Sequence, residues 1–281
     1  MFSYRHIYHA GNHADVFKHT VLTGLLLALQ RKPSPYCVLD THAGIGHYDF
    51  KSNQASKNAE FKEGIAKVVS QAKSAPELIK QYLSQVQLLN SPGSLRFYPG
   101  SPLLARQLSR DNDQLIACEF NRADHEILKG CFRGDSQVAV HCKDGFNGMK
   151  AFLPPKLKRG LVIIDPPYEL KDEVEQVVGG LELALKRWPN GIYAIWYPIL
   201  DRPLDKKLRE KVKNLDITKL LDVQLTVKDK PDVLSMIGSG LLIINSPWQF
   251  DDELQQALPW LQKQLSQNGE GYVKIEHLIA E

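Results

Sequence analysis

The stretch Leu161-Val-Ile-Ile-Asp-Pro-Pro-Tyr168, LVIIDPPY, opens as an uninterrupted apolar, β-branched run. Such a run is what a strand buried on both faces of a parallel sheet requires. It then breaks into Asp165, Pro166, Pro167 and Tyr168. Proline has no backbone N–H and keeps the residue before it out of helix. The pair therefore predicts an extended elbow at a strand end, presenting Asp165, the Pro166 carbonyl and the Tyr168 ring to one small volume.

Working outward, the same strand type recurs at YCVLD (36–40), LIACEF (115–120), VAVHC (138–142) and IYAIWYP (192–198). Helical patterns separate these runs: SPLLARQL from Ser101, NRADHEILKG from Asn121, GFNGMKAFL from Gly145 and KDEVEQVVGGLELALKRW from Lys171. Short buried strands alternating with helices imply right-handed βαβ units and a parallel sheet. Ahead of them, Asn12 is placed to cap a helix, with Asp15 at the capping-box position. An apolar stripe from Val16 to Leu29 carries that helix to about Gln30, before Pro33. Between Phe50 and Ser101 two further runs, AEFKEGIAKVVSQA and PELIKQYLSQVQLL, predict a small helical hairpin inserted into this rhythm. At the far end ITKLLDVQLTV and MIGSGLLIINSPW flank a turn-like KDKPD, predicting a closing hairpin whose last strand runs antiparallel to the rest.

Composition is that of an ordinary globular chain, 281 residues with 43% hydrophobic and 24% charged, and a net charge of +3 permits an acidic partner without requiring one. Residues Asp201 to Lys213 set six Lys/Arg against three Asp/Glu. A solvated, internally paired helix face and a phosphate-tracking surface both fit that segment. The four cysteines have no CxxC spacing, and Cys37, Cys118 and Cys142 fall in apolar runs where a thiol acts as a small buried hydrophobe. A reduced, cytoplasmic protein is expected. MFSYRHIYHAG lacks a signal peptide's apolar core, and VLTGLLLAL is too short to span a bilayer, so no membrane segment is expected.

In an open parallel sheet, ligands sit beyond the carboxyl ends of the strands. The first strand ends in Asp40 and then THAGIG, whose glycines, Gly44 among them, let a ligand approach the backbone. The second ends in Glu119, an acid suited to the two hydroxyls of a ribose. The third ends at Asp144-Gly145, where a carboxylate can accept from an adenine amino group, and the fourth at Asp165. Singly, each acid reads as a helix cap. In consecutive register they describe an adenosine-containing cofactor lying across the strand ends, beside a second pocket formed by DPPY. The missing GxGxxG argues against a dinucleotide.

Asp40-x-x-Ala43-Gly44-x-Gly46, Glu119, Asp144 and DPPY resemble the motif series of class I S-adenosylmethionine-dependent methyltransferases, with DPPY similar to the signature of enzymes that methylate exocyclic amino groups of nucleobases. YRHIYHAGNHADVFKH, LDTHAGIGHY, YPGSP and DPPYE together resemble the RlmJ family of 23S ribosomal RNA adenine-N6 methyltransferases. The likeness runs from Tyr4 to the final hairpin. It implies a Rossmann-like α/β fold: a mostly parallel seven-stranded sheet with an antiparallel last strand, formed by residues 1–50 and 96–281, and a helical subdomain inserted at 51–95. It implies S-adenosyl-L-methionine as cofactor, held by His19, His42, Gly44, Ser101, Glu119, Asp144, Gly145 and Asp165. It implies chemistry at Asp165, Pro166 and Tyr168, with Tyr168 stacking on the extruded base, and RNA contact at Tyr4, His6 and Lys18. Lys18 and Arg5 also suit phosphates on charge grounds. A monomer acting on 23S ribosomal RNA is expected, with no metal. Zinc at the histidine-rich N-terminal block would lack cysteine partners, and Gly11 interrupts the spacing, whereas histidines that merely pack the helix onto the sheet remain an alternative. A DNA adenine-N6 methyltransferase is the other enzymatic reading.

Overall fold

The computed structural model describes residues 6–170, 172–200, 203–229 and 236–280. In chain order the elements are α1 (His13–Gln30), β1 (Cys37–Asp40), β2 (His47–Asp49), α2 (Asn53–Asn58), α3 (Ile65–Ser70), α4 (Glu77–Gln87), β3 (Phe97–Pro99), α5 (Ser101–Leu108), β4 (Gln114–Glu119) and α6 (Arg122–Cys131). There follow β5 (Val138–Cys142), α7 (Gly145–Phe152), β6 (Gly160–Ile164), α8 (Glu173–Arg187), β7 (Ile192–Ile199), α9 (Leu204–Lys213), β8 (Leu220–Thr226), β9 (Gly238–Ile244), α10 (Phe250–Leu265) and β10 (Val273–Ile279).

The main sheet has the order β10-β8-β9-β7-β6-β1-β4-β5. β5, β4, β1, β6 and β7 are parallel. β9 lies antiparallel between β7 and β8, as the closing hairpin predicts, although part of the KDKPD link falls outside the described residues. The sheet has eight strands where seven were expected. β10 adds itself antiparallel to β8, after a helix, α10, that the reading of the sequence had passed over. Its signal was present: Val273 and Ile275 alternate with Lys274 and Glu276, the period of an edge strand with one wet face.

Alternation along the central strands feeds two cores. Val38, Leu161 and Ile163 face α1, α5 and α10, while Leu39, Val162 and Ile164 face α7 and α8. α1 is buried almost all round. The Asn12 side chain accepts its capping bond from the Asp15 N–H at 3.0 Å, and the helix ends at Gln30 as its stripe predicts.

The inserted segment departs from a simple hairpin. The first of its two runs is broken at Gly64, because the Ile65 N–H is given to the Gly11 carbonyl (2.9 Å) ahead of α1. Ile65, Val68, Ile79, Tyr82 and Val86 then pack in the core that holds α1 and α10. Two further differences concern the surface. Cys142 is exposed because β5 is the sheet's edge, whereas Cys37 and Cys118 are buried. On α9, Lys207 and Lys211 reach Glu175 of α8 at 2.7 and 3.8 Å, and Arg209 pairs with Asp205, so three of the segment's cations are paired within the fold. Among the described residues no helix is long and apolar enough to cross a membrane.

A Cβ on Gly64 would lie 2.1 Å from the Gly11 carbonyl oxygen, a backbone atom that cannot swing aside. Gly64→Ala is therefore expected to destabilise the fold by about 1–3 kcal/mol, the usual cost of overpacking, as a lower urea midpoint at unchanged m-value.

Candidate active site

A cleft of about 570 Å³ opens beyond the carboxyl ends of the parallel strands. His6, Lys18, His19, His42, Gly44, Ser101, Glu119, Asp144, Gly145, Asp165, Pro166 and Tyr168 all line it, and Tyr4 and Arg5 lie outside the described residues. Residues distant in sequence thus share one volume because five strands end at one edge.

On the β1–β4–β5 side, the half-buried Glu119 carboxylate accepts from the Gly44 N–H (2.9 Å) on one oxygen and the Asn121 N–H (2.7 Å) on the other, with the Phe120 N–H as a third backbone donor. Burial raises its pKa despite those bonds. Gly44 sits at φ +60°, a left-handed turn that glycine adopts without strain, and a Cβ there would meet the Tyr48 hydroxyl at 2.5 Å. Gly145 is held small by a neighbouring loop. The atom that excludes its Cβ is the Thr41 carbonyl oxygen at 2.3 Å, so its smallness serves the packing of two loops. Asp144 caps α7 through the Asn147 N–H (2.9 Å). Ser101, at the start of α5, spends its hydroxyl proton on Asp40 at 2.6 Å. Burial pushes the Asp40 carboxyl up to about 6, against the lowering effect of that bond.

His19 and His42 form the floor. His19 is fully buried, its Nδ1 is 2.8 Å from the Tyr98 hydroxyl, and its Nε2 has no hydrogen-bond partner. Tyr98 in turn bonds Tyr82 of the inserted α4 (2.9 Å), linking the insertion to the cleft wall. Burial lowers His19 to about 3 and His42 to about 4, so both are neutral imidazoles at pH 7.

On the β6–β7 side Lys18 and Tyr168 line the cleft while engaged by the fold. Lys18, expected at RNA phosphates, is buried at the cleft bottom with Nζ 2.9 Å from Asp15 Oδ1 and 2.6 Å from Asp165 Oδ2. The ammonium thus meets two carboxylates of the fold. Burial alone would lower the ammonium's pKa, yet the two acids hold it well above the ordinary value. Tyr168, expected as a stacking platform, is only 3% exposed, and its hydroxyl donates to the Trp196 carbonyl (2.8 Å). It adopts φ +54°, a conformation that a bulky L-residue rarely takes and that clusters at functional sites. Its ring is a wall of the cleft. His6 Nε2 lies 2.9 Å from Asp15 Oδ2, which brings the N-terminal turn His6–Tyr8 over the same volume.

Lining residues that escaped the reading of the sequence include Asp15 and the aromatic Trp196, Phe146 and exposed Phe120. Trp196 stands 6.0 Å from Lys18 Nζ and has a buried indole N–H without a partner. Only the position of Phe120, directly after the strand-end acid Glu119, could have marked any of them. Among the described residues no cluster of three or more His, Cys, Asp or Glu is arranged to hold a metal ion.

A sequence model of the family described as "Ribosomal RNA large subunit methyltransferase D, RlmJ" matches residues 33–279. The chain is 41% identical to ribosomal RNA large subunit methyltransferase J of Escherichia coli (strain K12), over the full length of both. It is 42% identical to the protein of the same name from Haemophilus influenzae, again over both full lengths. A crystal structure of a Legionella pneumophila protein superposes with a TM-score of 0.89 at 34% identity, covering 95% of this chain and 98% of that one.

The buried neutral His19 makes stability depend on pH. Its folded pKa lies below the unfolded value of 6.5, so its contribution is complete above pH 6.5 and is lost as the pH falls towards 3. Asp40, raised to about 6, acts with opposite sign between 3.8 and 6 and cancels in a comparison at fixed pH. His19→Gln is expected to flatten the acid-side fall in urea stability by up to about 1.4 kcal/mol per pH unit.

Proposed function

The chain belongs to the RlmJ family of ribosomal RNA large subunit methyltransferases, and from that premise we propose that it moves a methyl group from S-adenosyl-L-methionine to the exocyclic N6 of an adenine in 23S ribosomal RNA. It would act in the cytoplasm as a monomer, with residues 51–95 as the inserted helical unit. The observation that carries the reading is that Glu119 and Asp165, on opposite sides of β1, open onto one cleft.

The donor set fits an adenosine-containing sulfonium cofactor. The Glu119 carboxylate, oriented by the backbone N–H groups of Gly44, Asn121 and Phe120, lines the cleft where ribose hydroxyls would lie. Phe120 and Phe146 supply apolar faces for a purine, and Asp144 an acceptor for its amino group. The orphaned, buried His19 Nε2 is a polar atom awaiting a ligand at the far end, near Ser101 and His42. When bound, the cofactor supplies a methyl on positively charged sulfur, already a good electrophile.

The protein's task is the nucleophile. An adenine amino nitrogen is weak because its lone pair is delocalised into the ring. Asp165 and the Pro166 carbonyl, fixed on an elbow without N–H groups at either proline, accept the two N6–H bonds and draw the lone pair out of conjugation. Lys18 takes Asp165 Oδ2, which leaves Oδ1 for the substrate. Holding nitrogen in line with the methyl can contribute roughly 7–11 kcal/mol. The positive charge then passes to nitrogen, and Asp165 is placed to receive the proton. An adenine inside a duplex cannot reach this depth, so the base must be extruded, with the Tyr168 and Trp196 rings as walls. Against DNA as substrate stand the relatives' ribosomal RNA names and an insertion packed into the core instead of forming a free target-recognition domain.

Methyl incorporation into unmodified 23S ribosomal RNA, with duplex DNA in parallel, tests the reading; label confined to DNA would overturn it. Asp165→Asn is expected to lower kcat at saturating substrates by about 10²–10⁴-fold. Glu119→Ala should weaken the Kd for S-adenosylhomocysteine by roughly 1.5–3 kcal/mol, the worth of charge-assisted hydrogen bonds. An unaltered Kd would reduce Glu119 to a staple between two loops.

A further inference from the structure

Asp15 is 2% exposed, in the first turn of α1, and its carboxylate is fully engaged. Oδ1 faces Lys18 Nζ at 2.9 Å, and Oδ2 faces His6 Nε2 at 2.9 Å and the Gly11 N–H at 3.0 Å. Helix capping does not account for this burial. The cap is Asn12, which receives the Asp15 backbone N–H, and the Asp15 side chain reaches back with Oδ2 alone, to the Gly11 N–H one residue ahead of that cap, so Oδ1 and its ammonium partner are left unexplained. A favourable interaction with the helix dipole would be obtained equally well at the surface. What burial adds is a second carboxylate on the ammonium that touches Asp165.

We infer that Asp15 is a positioning residue for methyl transfer: by sharing Lys18 it confines the ammonium to one oxygen of Asp165, keeping the other for the substrate amino group, and by holding His6 it ties the N-terminal turn to the same charge. This rests on the reading of Asp165 as the acceptor at N6. A lone lysine beside a lone carboxylate in a low-dielectric cleft settles across both oxygens, because nothing opposes that geometry, and so blocks the acceptor. A second carboxylate on the far side pulls Nζ back. The count of charge agrees. In the transfer the carbon–sulfur bond breaks, the carbon–nitrogen bond forms, and the positive charge moves from sulfur to N6 until a proton leaves. Two carboxylates and one ammonium give the triad a net single negative charge, which favours charge arriving at N6. Without Asp15 that net charge is zero.

The test compares Asp15→Asn, Asp15→Glu and the parent enzyme, with wild-type transfer to 23S ribosomal RNA as the control for the reading beneath it. Asp15→Asn is expected to reduce kcat at saturating substrates by roughly 10²-fold, the cost of a misplacement of about 1 Å, with the Kd for S-adenosylhomocysteine within twofold. Asp15→Glu, which keeps the charge on a longer arm, should fall between the two. In the Asp165→Asn background, Asp15→Asn should cost little more, since it acts through that residue. A purely structural Asp15 would lower thermal stability and leave kcat of the folded fraction intact. That result, or independent losses in the double variant, overturns the inference. Should Asp15→Asn not fold, Asp15→Glu decides alone, and wild-type kcat in it overturns the inference. If the parent methylates no RNA, the functional reading fails, and a crystal structure of either variant still decides the geometry. Lys18 Nζ is expected to shift onto both Asp165 oxygens in Asp15→Asn and away from its parent position in Asp15→Glu; an unmoved Nζ overturns the inference.

Discussion

The parallel pairing of β1 with β4 on one side and β6 on the other is the constraint from which the rest of the site follows. In that register Asp40 lies level with Ala117 and with Ile163. Glu119 and Asp165 are each two residues further along, so they emerge on either flank of Asp40 at the same height. β5 continues the series, since Glu119 is level with Cys142 and Asp144 lies two residues beyond it. A slip of one residue would turn each acid to the other face of the sheet. Thr41 secures the register with two hydrogen bonds to the Ile163 carbonyl, from its N–H at 3.0 Å and its hydroxyl at 2.8 Å.

Within this frame α1 serves as core and site at once. Val16, Phe17, Val21 and Leu25 are buried in the larger core, which fixes the helix against the sheet. Asp15, Lys18 and His19 share its first turns and cannot escape to water. Burial opposes the charge of each, and the outcome differs with the neighbours. His19 has no countercharge in contact and stays neutral, with its pKa lowered to about 3. Asp15 would be raised by burial, but His6 and Lys18 hold it well below the ordinary carboxylate range. Lys18 is held charged by two acids. Placing such groups on a rigid, packed helix positions them more tightly than a loop would.

The insertion contributes to the same rigidity. Its tyrosine Tyr82 supports Tyr98, which supports His19, and Gly64 meets the backbone carbonyl of Gly11 just ahead of the helix that carries Lys18. Through Tyr82 and Gly64 this segment braces the cleft floor from behind.

Periodicity and turn chemistry alone determined much of this protein. The apolar runs marked the five parallel strands, Asn12 and Gln30 bounded α1, and four acids after successive strands marked a ligand edge. These features are local, written in residues a few positions apart, and a sequence displays them directly. The eighth strand was legible too, in the alternation from Val273 to Glu276, but weakly, because an edge strand buries only half its side chains. Only the tertiary structure decided what Lys18 and Tyr168 face. A lysine near histidines reads as a phosphate contact until Asp165, 147 positions away, is brought within 2.6 Å. A tyrosine after two prolines reads as a free platform until the Trp196 carbonyl receives its hydroxyl. Pairing across such separations depends on sheet register and helix docking, and no local pattern encodes either.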